Sequence, residues 1–356
     1  MDKPERYKTY NEIFDQKRSI RNAFEKYKGL FCNFNYDGSV MFEDEDIVTV
    51  FTGCGSSYYL GQCLSSAFNR VTSQYSIAIP ASEVYLSHDC YLKKHRRYRL
   101  VSISRSATTS ETVEASKFFK NEIGGDVIAI SCCSVPPLNQ IADLVLFEDS
   151  GMDESIVMTK SFSTMLFMGL MLTAYIGRDR GLCAQFEKAV DKLARVVDES
   201  TDIALDLCNS FRPDQIFLLG NGPFYGISSE GMLKAKEMSL TSSENYHFLE
   251  IRHGPMSMVD TKTLIVGLLS KNNTGYQVSL LKDMKEIGAK IFIICDEPDD
   301  LGRFKPDWSF FIKSGLSDEV NCLLSMPSLQ FLALYHSLNK GLDVDKPRNL
   351  VKVVRI

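Results

Sequence analysis

The chain reads as an α/β protein of two similar halves, each a parallel sheet sandwiched between helices. Three observations lead there. Short β-branched and aromatic runs alternate with amphipathic segments, the pattern of stacked βα units. Each half opens on an apolar strand that runs through a Gly-containing turn into a helix, VFTGCGSSYYLGQCL first and IFLLGNGPFYGISSEGML later. This internal repetition predicts a duplicated fold. Finally, 356 residues, 44% of them hydrophobic, suffice for two cores of ordinary size.

In chain order, a charged helical segment of about 28 residues comes first and carries no apolar signal. Strands are expected at 47–53, 75–81, 99–105, 126–132 and 143–149, with helices at 57–70 and 109–122 between them. The apolar stretch 162–176 is too short to span a bilayer and reads as a buried core or subunit-contact helix. Residues 185–211 form a long helix charged along one side, the candidate linker. The second half repeats the plan with strands at 215–221, 263–269, 290–296 and 308–314, and the chain ends in the tail DVDKPRNLVKVVRI. The boundaries expected are an N-terminal helical segment at 1–30, domains at 31–205 and 206–342, and a tail at 343–356.

Composition excludes several classes. A net charge of −5 argues against a nucleic-acid partner. The one basic run, 93–99, precedes a strand and reads as a solvated connection that could touch a local anion. The ten cysteines show no zinc-ligand spacing, and several lie in apolar strands, where cysteine acts as a small core residue. Neither a metal nor an organic cofactor is expected, nor a membrane partner. So many free thiols suit a reducing cytoplasm.

Two features carry chemistry. The first is the stretch 230–255, EGMLKAKEMSLTSSENYHFLEIRHGP. Spacings of four and three place Glu230, Lys234 and Glu237 on one helix face, and His253 follows in a tight Arg-His-Gly-Pro turn. Two carboxylates, an amine and an imidazole can move protons on a carbon skeleton near neutral pH. Taken alone, the face is equally an ordinary solvated row of ion pairs.

The second is a pair of hydroxyl-rich turns. Thr52, Ser56 and Ser57 surround two glycines after the first strand, and Ser104, Arg105, Ser106, Thr108 and Thr109 follow the third. Such turns can converge at the carboxyl edge of one sheet and present hydroxyls and helix-N-terminal amides to a phosphate. Each alone is an ordinary helix cap. Neither a P-loop nor a dinucleotide fingerprint is present, since Tyr58 stands where the third glycine of the latter would be.

The motifs GCGSSY (53–58), SRSATTSET (104–112), MTKSFSTM (158–165), EGMLKAKE (230–237), RHGP (252–255) and DKPRNLVK (345–352) run in one order over nearly the whole chain. In this the chain resembles the double sugar-isomerase (SIS) domain family. It is similar to the isomerase half of glucosamine-6-phosphate synthase and to stand-alone ketose/aldose isomerases and amino-sugar-phosphate deaminases.

The resemblance implies two tandem SIS domains, each a flavodoxin-like αβα sandwich, with an N-terminal helix and a C-terminal tail completing the site. It implies phosphate-binding roles for Ser56, Ser57, Ser104, Arg105, Ser106 and Thr109. Glu237 matches the carboxylate that carries a proton between C1 and C2, with Glu230 and Lys234 as its companions. His253 matches a ring-opening histidine that reaches in from the neighbouring subunit of a homodimer, and Lys352 a carbonyl-reactive lysine. Ala107 and Thr108 depart from the family turn, which has glycine and an acidic or amide residue there.

With no glutaminase domain in the sequence, the expected reaction is conversion of a hexosamine 6-phosphate, glucosamine 6-phosphate first, to ketose 6-phosphate and ammonia. Alternatives are a fructosamine-6-phosphate deglycase, a ketose/aldose phosphate isomerase and a non-catalytic sugar-phosphate sensor.

Overall fold

The computed structural model describes residues 3–36, 42 and 46–355. Residues 1–2, 37–41, 43–45 and 356, which fall in the expected N-terminal segment, first domain and tail, lie outside the described residues. The chain divides into two compact units. One comprises residues 15–153, 158–190 and 351–356, the other residues 1–14, 154–157 and 191–350.

The first unit contains β1 (Val48–Gly53), β2 (Tyr75–Pro80), β3 (Tyr98–Ser104), β4 (Asp126–Ser131) and β5 (Leu144–Phe147). All pair in parallel, in the order β2-β1-β3-β4-β5. β1 and β3 are buried along their full length, as central strands covered on both faces must be. Consecutive side chains leave opposite faces. Phe51 meets Phe68 of the helix Ser56–Val71 at 5.8 Å, whereas Val50 belongs to the cluster with Ala115 and Phe119 from the opposite layer. The segment 162–176, expected to be buried, is the core of the helix Lys160–Ile176, in which every residue from Lys160 to Tyr175 is buried.

The second unit repeats the plan. β6 (Gln215–Leu219), β7 (Ser242–Tyr246), β8 (Thr263–Leu268), β9 (Lys290–Cys295) and β10 (Trp308–Phe311) pair in parallel in the order β10-β9-β8-β6-β7. Read from β7, this is the strand order of the first sheet, so the duplication inferred from the two Gly turns is present in the fold. Phe217, Leu219, Ile265, Ile291 and Ile293 pack with Val278, Leu281 and Met284 of the helix Thr274–Ile287. Leu218 points the other way. A Cβ at Gly231 would come within 2.6 Å of Leu218 and 2.9 Å of Leu329, so glycine is what lets the helix Pro223–Ser239 settle between that strand and the helix Asp318–Asn339.

The expected linker is the last five-sixths of one helix, Arg180–Ser210. In the second unit, the helix Lys8–Tyr27 starts on a carboxylate, for Asp345 accepts from the Lys8 amide (2.8 Å), the Thr9 amide (2.9 Å) and the Thr9 hydroxyl (2.7 Å).

Candidate active site

In an open sheet, ligands sit where the strand order reverses, because connections leave to opposite sides there. In the first unit that point lies between the paired strands β1 and β3, with Thr52 opposite Ser102. Both hydroxyl turns leave from those strands at their carboxyl ends. Glycine is required at 53, where a Cβ would meet Ser57 Cβ at 2.7 Å and the Ile103 carbonyl at 2.9 Å. Gly55 follows at φ +54°, a conformation costly for other residues. Ser56 and Ser57 then open the helix Ser56–Val71 and are buried.

The second turn is tighter. Ser104 donates to the Thr109 hydroxyl at 3.4 Å, and Ser106 Oγ accepts from the Thr108 amide (3.2 Å) and hydroxyl (3.1 Å). Thr109 is the N-cap of the helix Ser110–Phe118, yet its side chain makes no capping hydrogen bond. The simple capping account therefore fails for this turn. Thr52, on the first turn, is fully buried and donates to the Ile79 carbonyl at 2.9 Å, so its hydroxyl is turned into the sheet.

Arg105, expected beside a phosphate, has two partners that sequence did not suggest. One nitrogen lies 3.5 Å from buried Asp153, and the other donates to the Lys352 carbonyl at 2.8 Å. Asp153 also accepts from the Thr159 amide (3.2 Å), the Thr159 hydroxyl (2.9 Å) and the Ser161 hydroxyl, while Lys160, Ser163 and Thr164 of the same MTKSFSTM motif pair with Asp15, Gln16 and Ser19. Val354 accepts from the Ser110 amide at 3.5 Å. The tail bearing Lys352 is thereby laid along the second hydroxyl turn, a neighbourhood invisible across 247 residues of sequence. The Lys352 side chain is exposed.

In the second unit, Glu230, Lys234 and Glu237 share a face of the helix Pro223–Ser239, which follows a turn matching the first: Gly222 has φ +56°. This face is not a solvated row. Glu230 and Lys234 are 0% exposed; Lys234 Nζ lies 3.2 Å from Glu230 and 2.5 Å from Glu237, and only Glu237, at 20%, keeps access to solvent. Burial pushes the Lys234 pKa down, but the two carboxylates outweigh it and hold the amine above its ordinary value. Lys234 is therefore a fixed ammonium that positions carboxylates, not a carbonyl-attacking amine. Glu237 is the member of the set that reaches solvent.

His253 closes a short helical turn by donating its amide to Glu250 at 3.0 Å and is followed by Gly254 at φ +122°; its side chain is exposed. A histidine passed over in the sequence, His247, stacks on Tyr225 at 4.0 Å with 13° between planes, directly after β7. Burial lowers its pKa, so the ring is neutral at neutral pH. The signal that would have found it is β7 itself, whose polar SSENY sequence hid the strand. Among the described residues, no group of three or more His, Cys, Asp or Glu is arranged to hold a metal ion, and no helix is long and apolar enough to cross a membrane.

The SIS domain model matches residues 44–175 and 211–305, more than half of the sequence, and the chain belongs to the SIS domain family. It is 28% identical over 365 residues to the isomerizing glutamine–fructose-6-phosphate aminotransferase of Idiomarina loihiensis, covering 97% of this chain and 58% of that protein. The Helicobacter pylori protein of the same name is 26% identical over 359 residues, with 97% and 58% covered. The chain thus spans 58% of the length of these curated relatives. Among solved structures it is similar to glucosamine-6-phosphate deaminase from Thermotoga maritima, at 29% identity and a TM-score of 0.81 over 98% of this chain and 100% of that one. Tagatose-6-phosphate ketose/aldose isomerase from Escherichia coli shares the fold, at 21% identity and a TM-score of 0.85 over 95% and 94% of the two chains.

Proposed function

We propose that the chain is a phosphosugar isomerase that works as a deaminase on a hexosamine 6-phosphate, with glucosamine 6-phosphate the leading substrate. The observation that carries the reading is the buried Glu230–Lys234–Glu237 set, open to solvent only at Glu237. The end-to-end likeness to the Thermotoga deaminase supports the choice of substrate.

The chemistry balances on these groups. The hydroxyls of Ser56, Ser57, Ser104, Ser106 and Thr109 hold the phosphate. His253 opens the ring, and as an exposed group it serves the site of a second copy in a homodimer. Glu237 takes the C2 proton of the open-chain aldose, leaving an enolamine, and returns it to C1 to give a 2-imino sugar. Water adds to the imine, ammonia leaves, and the ketose 6-phosphate remains. Lys352, exposed on the tail beside the phosphate turn, acts on the sugar carbonyl, and Arg105 holds the backbone that carries it. The ten free cysteines are in keeping with a cytoplasmic enzyme.

The test is incubation with hexosamine 6-phosphates, aldose 6-phosphates and fructosamine 6-phosphates while ammonia, ketose phosphate and free amino acid are assayed. Stoichiometric ammonia and ketose phosphate from glucosamine 6-phosphate is expected. Ketose without ammonia, amino-acid release, or binding with no turnover would replace the reading with an isomerase, a deglycase or a sensor respectively. Mixing His253→Ala and Glu237→Gln chains should restore activity if the sites are shared; verified hybrid dimers that stay inactive rule sharing out.

A further inference from the structure

The basic run 93–99 takes no part in the proposed reaction, and it borders a cavity of about 420 Å³, within the usual range for small-molecule sites. The cavity lies at the amino edge of the first sheet. Tyr98, in its wall, is the first residue of β3, whereas the second hydroxyl turn leaves the far end of that strand. Seven residues of strand put the two about 20 Å apart.

The turn that presents the cations is built rather than loose. The Lys93 amide donates to the Tyr98 hydroxyl at 2.6 Å, Arg96 closes the turn on the Lys93 carbonyl at 3.0 Å, and Lys93 Nζ reaches the Asp89 carbonyl at 3.0 Å. Lys93, Lys94 and Arg96 line the cavity together with His88. The His88 ring lies 4.9 Å from Phe118, and its buried Nδ1 has no hydrogen-bond partner among the described residues. Leu92, Tyr98 and Ile123 supply an apolar floor, and the carboxylates of Asp89 and Glu122 add acceptors for hydroxyls. Three cations, a flat half-apolar wall and two carboxylates match no simple inorganic anion.

The geometry points to a second ligand site here, for a phosphate monoester carried on a hydroxyl-bearing ring, such as a sugar or nucleoside monophosphate. The phosphate lies against Lys93, Lys94 and Arg96, and the ring lies on the Phe118 side with its hydroxyls toward Asp89 and Glu122. This site is independent of the deaminase reading, since none of its residues belongs to the proposed reaction.

Lysine acylation followed by peptide mass spectrometry tests it on the whole protein, because Lys93 and Lys94 report separately from Lys352. The probes are inorganic phosphate, glucose 6-phosphate and uridine 5′-monophosphate, each at matched ionic strength. At least one monoester is expected to slow acylation of Lys93 and Lys94 several-fold, at lower concentration than inorganic phosphate. Arg96→Glu, which keeps both lysines, is expected to raise the half-protecting concentration about tenfold or more, and His88→Ala to raise it severalfold, with turnover at saturating substrate unchanged. No protection by any probe, equal protection by inorganic phosphate, or protection that follows protein concentration without a probe would each overturn the proposal, the last by making the cavity a contact between copies.

Discussion

Lys234 and Glu237 are joined at 2.5 Å with the lysine wholly shielded from water and the carboxylate one-fifth exposed. With Glu230 at 3.2 Å on the other side, three charges share one buried site. Removing one partner from such a set leaves a buried charge uncompensated. Lys234→Met should therefore cost about 3–5 kcal/mol of stability, read from the urea midpoint. Adding Glu230→Gln should restore much of that loss without restoring activity, because Glu237 stays unanchored. A Lys234→Met cost under about 1 kcal/mol would show that the set does not hold Glu237 in place.

Backbone carbonyls of the tail accept from the Arg105 guanidinium, at Lys352, and from the Ser110 amide, at Val354. Arg105→Lys keeps a cation for Asp153 but loses the forked guanidinium that also reaches the Lys352 carbonyl. Limited proteolysis should then cut near Lys352 faster, and kcat should fall while substrate affinity changes little. Unchanged protection of the tail would remove Arg105 as its holder.

Ala107 sits at φ +56°, in the left-handed region, where the family turn has glycine. That conformation costs a non-glycine residue about 1–2 kcal/mol. Ala107→Gly relieves it but loses a buried methyl packed with Ala129 and Leu138, worth about 0.8 kcal/mol, and frees the unfolded chain. The two nearly cancel, so Ala107→Gly should shift stability by no more than about 1 kcal/mol, and Ala107→Val should cost more than about 2 kcal/mol. Equal tolerance of valine in urea melts would mean the turn is not left-handed in solution.

His336, 2% exposed in the helix Asp318–Asn339, has no hydrogen-bond partner on either ring nitrogen among the described residues. Burial first, then Lys340 and Arg212, pull its pKa from 6.5 to about 4. The unfolded chain takes up this proton at higher pH than the folded one. Stability from the neutral ring is thus complete above about pH 6.5 and lost as pH falls toward 4, by about 3 kcal/mol in all. His336→Phe should flatten that part of the curve in urea melts between pH 7 and 4; an unaltered slope would clear His336 of the acid sensitivity.

Much of the fold was legible because its central strands are buried on both faces and read as continuous apolar runs. β7 was not, since an edge strand of sequence SSENY pairs on one side only and needs no apolar pattern. The helix Asp318–Asn339 escaped for the opposite reason: buried from Asp318 to Leu338, it has no polar face to give a helical period, and it holds Pro327 inside. In the site, spacing placed Glu230, Lys234 and Glu237 on one face but could not say that the face is buried. Contacts such as Asp153 with Arg105, or Arg105 with Lys352, join distant segments of sequence and become visible only when the sheet brings them together.

Proton transfer by Glu237 is the central claim, and solvent exchange reads it directly. Because Glu237 is one-fifth exposed, part of the proton it takes from C2 exchanges with solvent before C1 is protonated, so glucosamine 6-phosphate turned over in deuterium oxide should give fructose 6-phosphate partly deuterated at C1 by the wild-type protein. Glu237→Gln should bind the substrate yet incorporate no deuterium. Incorporation by Glu237→Gln at the wild-type rate would contradict the account.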